Sequence, residues 1–342
     1  MAKKIEVIQC GVGALGSEIV SLISEKRDLE VVAAVDVRDE VAGKDLGEVV
    51  GLTRKTSIKV SNKAAEVFKK VKADVVVITT LSNFEDIFDI TKEALQAGKN
   101  VITSCEEACF PWTKKPDMAN EIDKLAKSKG VSCLGPGINP GFMLDFMPIT
   151  LTALMEKVDK INIRRVVDMA AFGPAFYNAF GLGKSLENFN KELGEGKIGG
   201  FNAFQQIMEM IARALDWGKI DYSEEKVGMV SKSRREAKAG VVEPGTVHGV
   251  KQIAYGSRQG KEVMNFEVNF VVGPDPVKDG MEAGNFTTME GNPSIVVACT
   301  GEQARQGNVV SAAHIVNSIP ALVAAQPGIR LVYELPATPC LP

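Results

Sequence analysis

Residues 11–16, GVGALG, constrain the fold more than any other stretch of this chain. They follow a strand-like run, IEVIQC (5–10), and open a segment with apolar residues at helical spacing, ALGSEIVSLISEK (14–26). Isolated glycines also make ordinary turns, but a G-x-G-x-x-G turn between a strand and a helix is typical of dinucleotide-binding folds. The context on both sides therefore predicts a dinucleotide site at this turn.

The three glycines of the turn have different tasks. Gly11 makes the tight strand-to-helix turn, Gly13 leaves room for a pyrophosphate beside the backbone, and Gly16 lets the helix pack closely on the strand. The amide groups at the start of the helix attract phosphate. The predicted cofactor contacts are all six residues of the turn: Gly11, Val12, Gly13, Ala14, Leu15 and Gly16.

Asp36 ends a second strand-like run, VVAAVD (31–36), 20 residues after Gly16. An acidic residue at this place accepts hydrogen bonds from the adenosine ribose and repels a 2′-phosphate, which favours NAD. Arg38 offers a cation that can pair with such a phosphate. We therefore predict that Asp36 and Arg38 contact the cofactor, that NAD is preferred and that NADP is tolerated. Three hydroxyl residues that end a later strand are also predicted to reach the cofactor ribose: Thr79, Thr80 and Ser82.

Strand and helix patterns alternate over the first 134 residues. Further strands are predicted at 74–79, 100–104 and 131–134, and further helices at 83–98 and 116–129. Short continuous apolar runs that alternate with helices indicate a parallel sheet covered on both faces. Residues 1–140 are therefore predicted to form an α/β domain of the Rossmann type, with a doubly wound parallel sheet.

The segment GPGINPGF (135–142) interrupts this pattern. Beyond it, apolar and polar residues alternate as they do in half-buried antiparallel strands. We predict a second, α+β domain over residues 141–304, with a largely antiparallel sheet. A C-terminal helix and tail, residues 305–342, are predicted to return toward the first domain. Three further helices are predicted: 185–194, 200–217 and 305–325.

Composition excludes several classes of protein. The formal net charge of −3, from 40 Lys+Arg and 43 Asp+Glu, offers no basic surface for nucleic acid. We expect no membrane span, because no apolar run approaches about 18 residues, and no signal peptide, because the N-terminal apolar run is too short. Two separate histidines and six cysteines without a CxxC pair predict no metal site and reduced thiols in a cytoplasmic protein.

Two adjacent carboxylates, Glu106 and Glu107, follow a buried strand in VITSCEEACFPW (101–112). Ligands of open α/β sheets bind beyond the carboxyl ends of the strands, so this stretch is predicted to line the nicotinamide end of the cleft. We expect an extended segment here, in which adjacent residues point in opposite directions, so that only one glutamate faces the substrate. The alternative is that both lie on an exposed turn, although an apolar neighbourhood makes an unpartnered carboxylate costly.

Several stretches together carry a resemblance that covers nearly the whole chain. They are GVGALG, DLGEVVG (45–51), VITSCEEACFPW, GPGINPGF, the D-x3-FGP group from Asp168 to Pro174, VEPGTVHG and IAYG. Through them the chain resembles the 2,4-diaminopentanoate dehydrogenase family. More broadly, it is similar to the native amine dehydrogenases and to the dihydrodipicolinate reductase-like superfamily.

The resemblance implies an NAD(P)-dependent oxidative deamination of 2,4-diaminopentanoate to 2-amino-4-oxopentanoate and ammonia. It also implies a homodimer built through the second domain, and a glutamate acid/base that maps onto Glu106 or Glu107, of which we select Glu106. The chemistry requires such a group, because an alkylammonium must lose a proton before its nitrogen can help expel hydride. Since an isolated amine keeps its proton to about pH 10, we expect an alkaline optimum for deamination.

Four further residues are predicted to contact the substrate. Asn139, on the constrained GINPGF turn, is expected to orient substrate or nicotinamide, unless the turn is purely architectural. Asp168 is expected to bind the second ammonium of a diamine, unless it pairs with a neighbouring arginine. Tyr177 and Asn178 are expected to close the pocket, unless they serve only in packing.

Two other functions stay open at this point. One is another amine or amino-acid dehydrogenase of the same architecture, which a small change in pocket size would produce. The other is a protein that binds NAD as a sensor without catalysis. Dihydrodipicolinate reductase itself is disfavoured. Members of that family are marked by paired histidines at the active site, and this chain has no His-His pair.

Overall fold

The structure is a computed structural model that describes residues 4–302 and 306–342. Its strands are β1 (Ile5–Cys10), β2 (Leu29–Val35), β3 (Val60–Ser61), β4 (Val75–Ile78), β5 (Asn100–Thr103), β6 (Ser132–Leu134), β7 (Lys157–Asp168), β8 (Asp221–Val230), β9 (Arg235–Ala237), β10 (Gly240–Val242), β11 (Val247–Arg258), β12 (Lys261–Val271), β13 (Gly284–Asn292), β14 (Ile295–Thr300) and β15 (Gly328–Arg330). Its helices are α1 (Ala14–Glu25), α2 (Leu46–Val50), α3 (Ala64–Lys70), α4 (Phe88–Gln96), α5 (Pro116–Lys129), α6 (Phe146–Leu151), α7 (Pro174–Ala179), α8 (Leu186–Gly194), α9 (Phe204–Ala214) and α10 (Gly307–Val323).

The chain divides into two compact units. The first unit comprises Met1–Met147 together with Gly307–Pro342, and the second comprises Pro148–Gln306. The first junction falls a few residues after the predicted limit at 140. The second predicted junction, at 304/305, falls on residues 303–305, which lie outside the described residues, as does the predicted start of the last helix.

The first unit contains a seven-stranded sheet in the order β15-β6-β5-β4-β1-β2-β3. All of its strand pairs are parallel. β4 is completely buried, as expected of a central strand with helices on both faces. The strand order reverses between β1 and β4, so ligands are expected beyond the carboxyl ends of these two strands. The predicted doubly wound parallel sheet is thereby confirmed.

Local signals explain where the well-predicted helices begin and end. α5 starts with Pro116, whose missing amide hydrogen is not needed in the first turn, and ends at Gly130 with φ 67°. Gly98, after α4, has φ 70°. Both glycines take the left-handed conformation that commonly ends helices. The predicted helix 83–98 is divided, because Glu85–Ile87 forms a 3-10 turn before α4.

Short elements of the first unit were not predicted: α2, β3, α3 and β15. α2 has only five residues and depends on its ends, where Asp45 accepts a hydrogen bond from the Gly47 amide (2.9 Å) and Gly51 has φ 77°. β15 has three residues and extends the sheet by pairing with β6. Elements of this length are too short to show a helical or strand period.

The second unit contains a six-stranded sheet in the order β14-β13-β7-β12-β11-β8 and a small β9–β10 pair. Only β7 and β12 run parallel; the other neighbours in the large sheet are antiparallel. The predicted largely antiparallel sheet is therefore confirmed. Within the described residues, no helix is long and apolar enough to cross a membrane.

Candidate functional site

The glycine turn has the geometry that close approach to a phosphate requires. Gly11 has φ +88°, and a Cβ there would lie 2.7 Å from the carbonyl oxygen of Thr79. A Cβ at Gly16 would lie 2.0 Å from the carbonyl oxygen of Gly11, so only glycine allows α1 to pack this closely on the turn. A Cβ at Gly13, in contrast, would meet nothing within 4 Å. The face of Gly13 is open to a ligand, and the other two glycines make the turn that exposes it.

The N-terminus of α1 directs its amide groups toward this open face. The Val12 amide donates to Asp36 Oδ2 at 2.8 Å, which fixes the turn to the end of β2. The first amide groups of a helix have no partner within the helix and favour an anion. Residues 13–16 therefore fit the pyrophosphate of a dinucleotide.

Asp36 and Arg38 form a tight ion pair beyond β2. The Nε and Nη2 atoms of Arg38 each lie 2.9 Å from a different oxygen of Asp36. Burial disfavours the charged carboxylate, but the hydrogen bonds from Arg38 and Val12 outweigh it and lower the pKa of Asp36 to about 2. Asp36 is thus ionised at neutral pH, and Arg38 partly neutralises the repulsion that it would exert on a phosphate.

A cavity of about 380 Å³ lies beside this pair. We call it the glycine-loop cavity; its lining includes Gly11, Gly13, Asp36, Val37, Arg38, Thr80, Leu81 and Ile90. Val37 and Leu81 are 82% and 54% exposed and line this cavity, so a ligand bound here would cover apolar surface of both. These two were not predicted, although each directly follows a residue predicted to contact the cofactor. Such a mixed apolar and polar cavity suits a planar base with a ribose.

The three predicted hydroxyl residues occupy different places. The Thr79 hydroxyl donates to the Gly11 carbonyl (2.9 Å) and accepts from Gln9 Nε2 (2.8 Å), so it holds the glycine turn. Thr80 is exposed and lines the glycine-loop cavity. Ser82 is exposed and lines a second cavity, described below.

The carboxylate pair lies on a 3-10 turn, Glu106–Cys109, and not on an extended segment. The expectation of an extended segment was therefore wrong. Cys105 starts the turn, because its carbonyl accepts a hydrogen bond from the Ala108 amide (3.1 Å). Successive residues on a 3-10 helix, which has three residues per turn, still point about 120° apart, so the two glutamates diverge.

Glu107 is buried and fully engaged. Its Oε1 lies 2.9 Å from Lys114 Nζ, and its Oε2 accepts a hydrogen bond from the Phe84 amide at 2.9 Å. Its own amide donates to the Ser82 carbonyl at 3.3 Å. Glu107 therefore ties the 3-10 turn to the segment that follows β4.

Glu106 faces a cavity of about 210 Å³, which we call the Glu106 cavity. Its lining includes Leu15, Ser82, Ser104, Glu106, Asn139, Ser311 and Ile315. No described residue donates a hydrogen bond to the Glu106 carboxylate. Burial and the nearby charge of Glu107 raise the pKa of Glu106, and Lys114 opposes this in part. A half-buried carboxylate that holds a proton more readily than usual is suited to acid/base chemistry.

The contribution of α10 to this cavity has no signal in the local sequence pattern. Ser311 and Ile315 line the Glu106 cavity although they lie about 200 residues further along the chain. Leu15 belongs to the glycine turn and lines the same cavity, so the first unit brings the turn, Glu106 and Asn139 together. No group of three or more His, Cys, Asp or Glu side chains in the described part of the chain could hold a metal ion.

The other predicted substrate residues belong to the second unit. Asp168, at the end of β7, accepts hydrogen bonds on Oδ1 from the amides of Ala170 (2.9 Å) and Gly273 (3.1 Å). Tyr177 is buried, and its hydroxyl has no hydrogen-bond partner among the described residues. Asn178 follows it on α7 and is exposed. None of these observations tests a role in substrate binding.

Comparison with known proteins places the chain in a family. Residues 142–342 match the model of the 2,4-diaminopentanoate dehydrogenase C-terminal domain, and residues 5–106 match that of the dihydrodipicolinate reductase N-terminus. The chain is 32% identical over 338 residues to 2,4-diaminopentanoate dehydrogenase from Acetoanaerobium sticklandii, covering 98% of this chain and 94% of that protein. It is 22% identical over 358 residues to an amine dehydrogenase from Streptomyces virginiae, covering 98% of each.

A solved structure has the same fold. The amine dehydrogenase from Mycobacterium smegmatis superimposes with a TM-score of 0.82 at 24% identity, covering 99% of this chain and 98% of that one. The matched N-terminal domain and the geometry of the glycine turn agree on a nicotinamide cofactor. Together with the identity along the whole chain, they establish that this chain belongs to the 2,4-diaminopentanoate dehydrogenase family and is an NAD(P)-dependent oxidoreductase.

Proposed function

We propose that this protein oxidatively deaminates 2,4-diaminopentanoate to 2-amino-4-oxopentanoate and ammonia, in a reversible reaction with Glu106 as the acid/base. The observation that carries this proposal is the Glu106 cavity, where a half-buried carboxylate without a hydrogen-bond partner among the described residues adjoins the glycine turn. The name of the relative from Acetoanaerobium sticklandii supports this choice of substrate. The amine dehydrogenase relatives support the reaction type and leave a related amine or amino acid as the second candidate substrate.

The reaction requires a base before and after hydride transfer. The bound nicotinamide would accept a hydride from the carbon that carries the reacting amine. Before that step, Glu106 holds the ammonium group and takes up its proton, which frees the nitrogen lone pair. Glu106 releases this proton to solvent, and the ionised carboxylate then activates the water that adds to the resulting iminium. The nitrogen leaves as ammonium, so that alkylammonium, water and oxidised cofactor give ketone, ammonium, reduced cofactor and one proton.

We assign different tasks to the two glutamates. Glu106 takes part in the chemistry, and Glu107 holds the 3-10 turn through Lys114 and the Phe84 amide. We propose that Asn139, which lines the Glu106 cavity, orients the substrate or the nicotinamide. Contacts of Asp168, Tyr177 and Asn178 with the substrate stay predictions, as do a homodimer and a cytoplasmic location.

We further propose that NAD is preferred over NADP. The ionised Asp36 lies at the end of β2, where it can accept hydrogen bonds from a ribose. Arg38 is 43% exposed and is held against Asp36, which leaves its outer face available to a 2′-phosphate. This pair supports a preference for NAD together with some acceptance of NADP.

The central test compares Glu106→Gln with the wild-type enzyme. We expect a loss of about 10²- to 10⁴-fold in kcat with 2,4-diaminopentanoate, measured as reduced cofactor at 340 nm, while the Kd for NAD stays unchanged. Glu107→Gln is the matched control. It should retain far more activity, because the glutamine side chain keeps an oxygen that can accept the hydrogen bond from the Phe84 amide.

Activity assays with a panel of amines and amino acids identify the substrate. Activity with another amine and none with 2,4-diaminopentanoate would move the assignment to the second candidate. Near wild-type rates for Glu106→Gln would remove the role of Glu106. Tight NAD binding without turnover of any amine would instead favour a sensor that binds the cofactor without catalysis.

A further inference from the structure

One wall of the Glu106 cavity is the loop 136–140, which includes Asn139. A glycine at each end of this loop makes a close backbone contact. A Cβ at Gly135 would lie 2.6 Å from the carbonyl carbon of Ala108, on the same 3-10 turn as Glu106. A Cβ at Gly141 would lie 2.1 Å from the Gly137 amide nitrogen. The first contact is to the 3-10 turn and the second lies within the loop region itself, so a contact that ties Gly137 to another element must come from elsewhere.

His314 of α10 supplies that contact. Its Nδ1 atom lies 2.9 Å from the carbonyl oxygen of Gly137. A carbonyl can only accept, so Nδ1 carries the hydrogen of this bond. Burial lowers the pKa of His314, and the ring is therefore neutral at physiological pH, with its single hydrogen on Nδ1.

The imidazole of His314 is itself held in place. Its ring packs edge-on against Phe142, with 5.1 Å between ring centroids. The backbone carbonyl of His314 accepts a hydrogen bond from the Ser318 hydroxyl at 2.7 Å. The same helix also presents Ser311 and Ile315 to the Glu106 cavity. α10 therefore contributes both to the lining of the cavity and to the position of the opposite loop.

We propose that His314 is a positioning residue of the Glu106 site, whose Nδ1–H bond to the Gly137 carbonyl holds Asn139 in the wall facing Glu106. This inference rests on the function proposed above and extends it to a residue that does not line the cavity. No pattern in the sequence predicts a catalytic role for His314. Its effect is expected in turnover, because small displacements of groups around a reacting centre reduce the rate strongly.

Three substitutions at this position separate positioning from general stability. His314→Asn places an amide N–H close to the position of Nδ1, His314→Gln places it near Nε2, and His314→Leu removes it. We expect the Leu and Gln variants to lose about 10- to 100-fold in kcat with 2,4-diaminopentanoate, with a smaller change in KM. The Asn variant should recover most of kcat. The Kd for NAD should stay within about twofold in all three, because the glycine turn keeps its contacts.

Hydrogen–deuterium exchange gives a readout that does not need activity. Peptides covering 135–143 should exchange faster in the Leu variant than in the wild-type protein, and at nearly wild-type rate in the Asn variant. Equal kcat in the Leu and Asn variants, at matched thermal stability, would overturn the proposal. If the wild-type enzyme oxidises no amine, the function proposed above fails, and exchange alone decides: unchanged exchange in the Leu variant would then overturn the proposed contact.

Discussion

Two neighbouring residues of the same type have opposite surroundings. Glu107 is 8% exposed and has a cation and a backbone amide as partners, so its charge is compensated. Glu106 is partly accessible and accepts no hydrogen bond from the described residues, and burial raises its pKa. A carboxylate that accepts no hydrogen bond in such surroundings is costly to keep charged, and function is a common reason to retain one.

The charges around Glu106 predict opposite shifts of the pH–rate profile. Glu107→Gln removes a negative charge, which should lower the pKa of Glu106 and move the acidic limb of kcat/KM to lower pH. Lys114→Met removes a positive charge, which should raise this pKa and move the limb to higher pH. Both shifts can be measured from the rate of cofactor reduction across a range of pH.

Lys114→Met also leaves Glu107 without its cation, which should destabilise the protein by about 1 kcal/mol, because Lys114 is 39% exposed and solvent screens the pair. The double variant with Glu107→Gln should recover part of this loss in thermal unfolding. If both single variants move the acidic limb in the same direction, or neither moves it, Glu106 is not the group that titrates.

The sequence was sufficient to place the glutamate pair at the edge of the sheet, whereas the selection of Glu106 over Glu107 stays a prediction. It was not sufficient to identify the partners of Glu107, because Phe84 follows a different strand. The error over the extended segment has a local cause. The 3-10 turn has only four residues, which is too few to show a hydrophobic period. The residue types and their spacing therefore could not distinguish this turn from an extended segment.

At the scale of elements, the turn between β1 and α1 depends on glycines for two different reasons. Gly16 is enclosed, because a Cβ there would meet the Gly11 carbonyl at 2.0 Å, whereas the face of Gly13 is open. Glycine at position 16 is needed for packing between helix and strand, whereas glycine at position 13 is needed only for a ligand. The positive φ of Gly11 (+88°) makes the turn on which both depend.

Alanine at these two positions should separate stability from cofactor binding. Gly16→Ala should overpack the turn and cost about 1–3 kcal/mol, seen as a fall of several degrees in Tm. Gly13→Ala should leave Tm of the free protein nearly unchanged and weaken NAD binding at least tenfold, as measured by calorimetry. Unchanged NAD affinity in Gly13→Ala would show that the pyrophosphate does not approach this face.

The ion pair at the end of β2 should determine the choice between cofactors. Asp36→Ala removes the ribose acceptor and releases Arg38, so the Kd for NAD should rise about tenfold while that for NADP changes little. Arg38→Ala should weaken NADP more than NAD. The Kd values are measured by fluorescence titration of each variant with each cofactor. An equal loss for both cofactors in Asp36→Ala would mean that this residue acts only through the Val12 amide.

The sequence predicted this element well because its signals are local. A strand, three spaced glycines and an acidic residue after the next strand all lie within 36 residues. Thr79 differs, since its predicted contact with the ribose did not anticipate its hydrogen bonds to Gly11 and Gln9. Those bonds join residues about 70 positions apart, and no local pattern indicates them.

At the scale of the whole molecule, the first unit is completed by the end of the chain. Gly307–Pro342 supplies β15 at one edge of the sheet and α10, which packs on α1. Four side chains of α10 are fully buried: Ile315, Val316, Ile319 and Leu322. Burying an aliphatic side chain contributes about 1.5–3 kcal/mol, so these four contribute about 6–12 kcal/mol, which is comparable to the net stability of a typical domain.

A chain that ends at Gln306 should therefore fail to fold its first unit. We expect this variant to be insoluble or to lack NAD binding, as judged by solubility and by calorimetry. Removal of residues 339–342 alone is the matched control and should leave both properties nearly unchanged. A soluble Gln306-terminated protein that binds NAD would contradict the structural role given to α10.

The sequence predicted a mixed α+β second unit but not its strand order. Alternating polarity identifies half-buried strands, whereas the pairing of β7 with both β12 and β13 joins residues more than 100 positions apart. The same limit applies to the site, where α10 contributes Ser311 and His314. Local patterns identify elements, and long-range packing decides which of them meet.

The late completion of the first unit also affects how the protein is made. Synthesis proceeds at about 5–20 residues per second, so about 8 s or more pass between the emergence of Met147 and that of α10. During this interval the nascent N-terminal segment exposes the apolar surface that α10 later covers. Chaperone binding to ribosome-bound chains should therefore persist until residues beyond Gly307 emerge, even though the nucleotide motif is translated first.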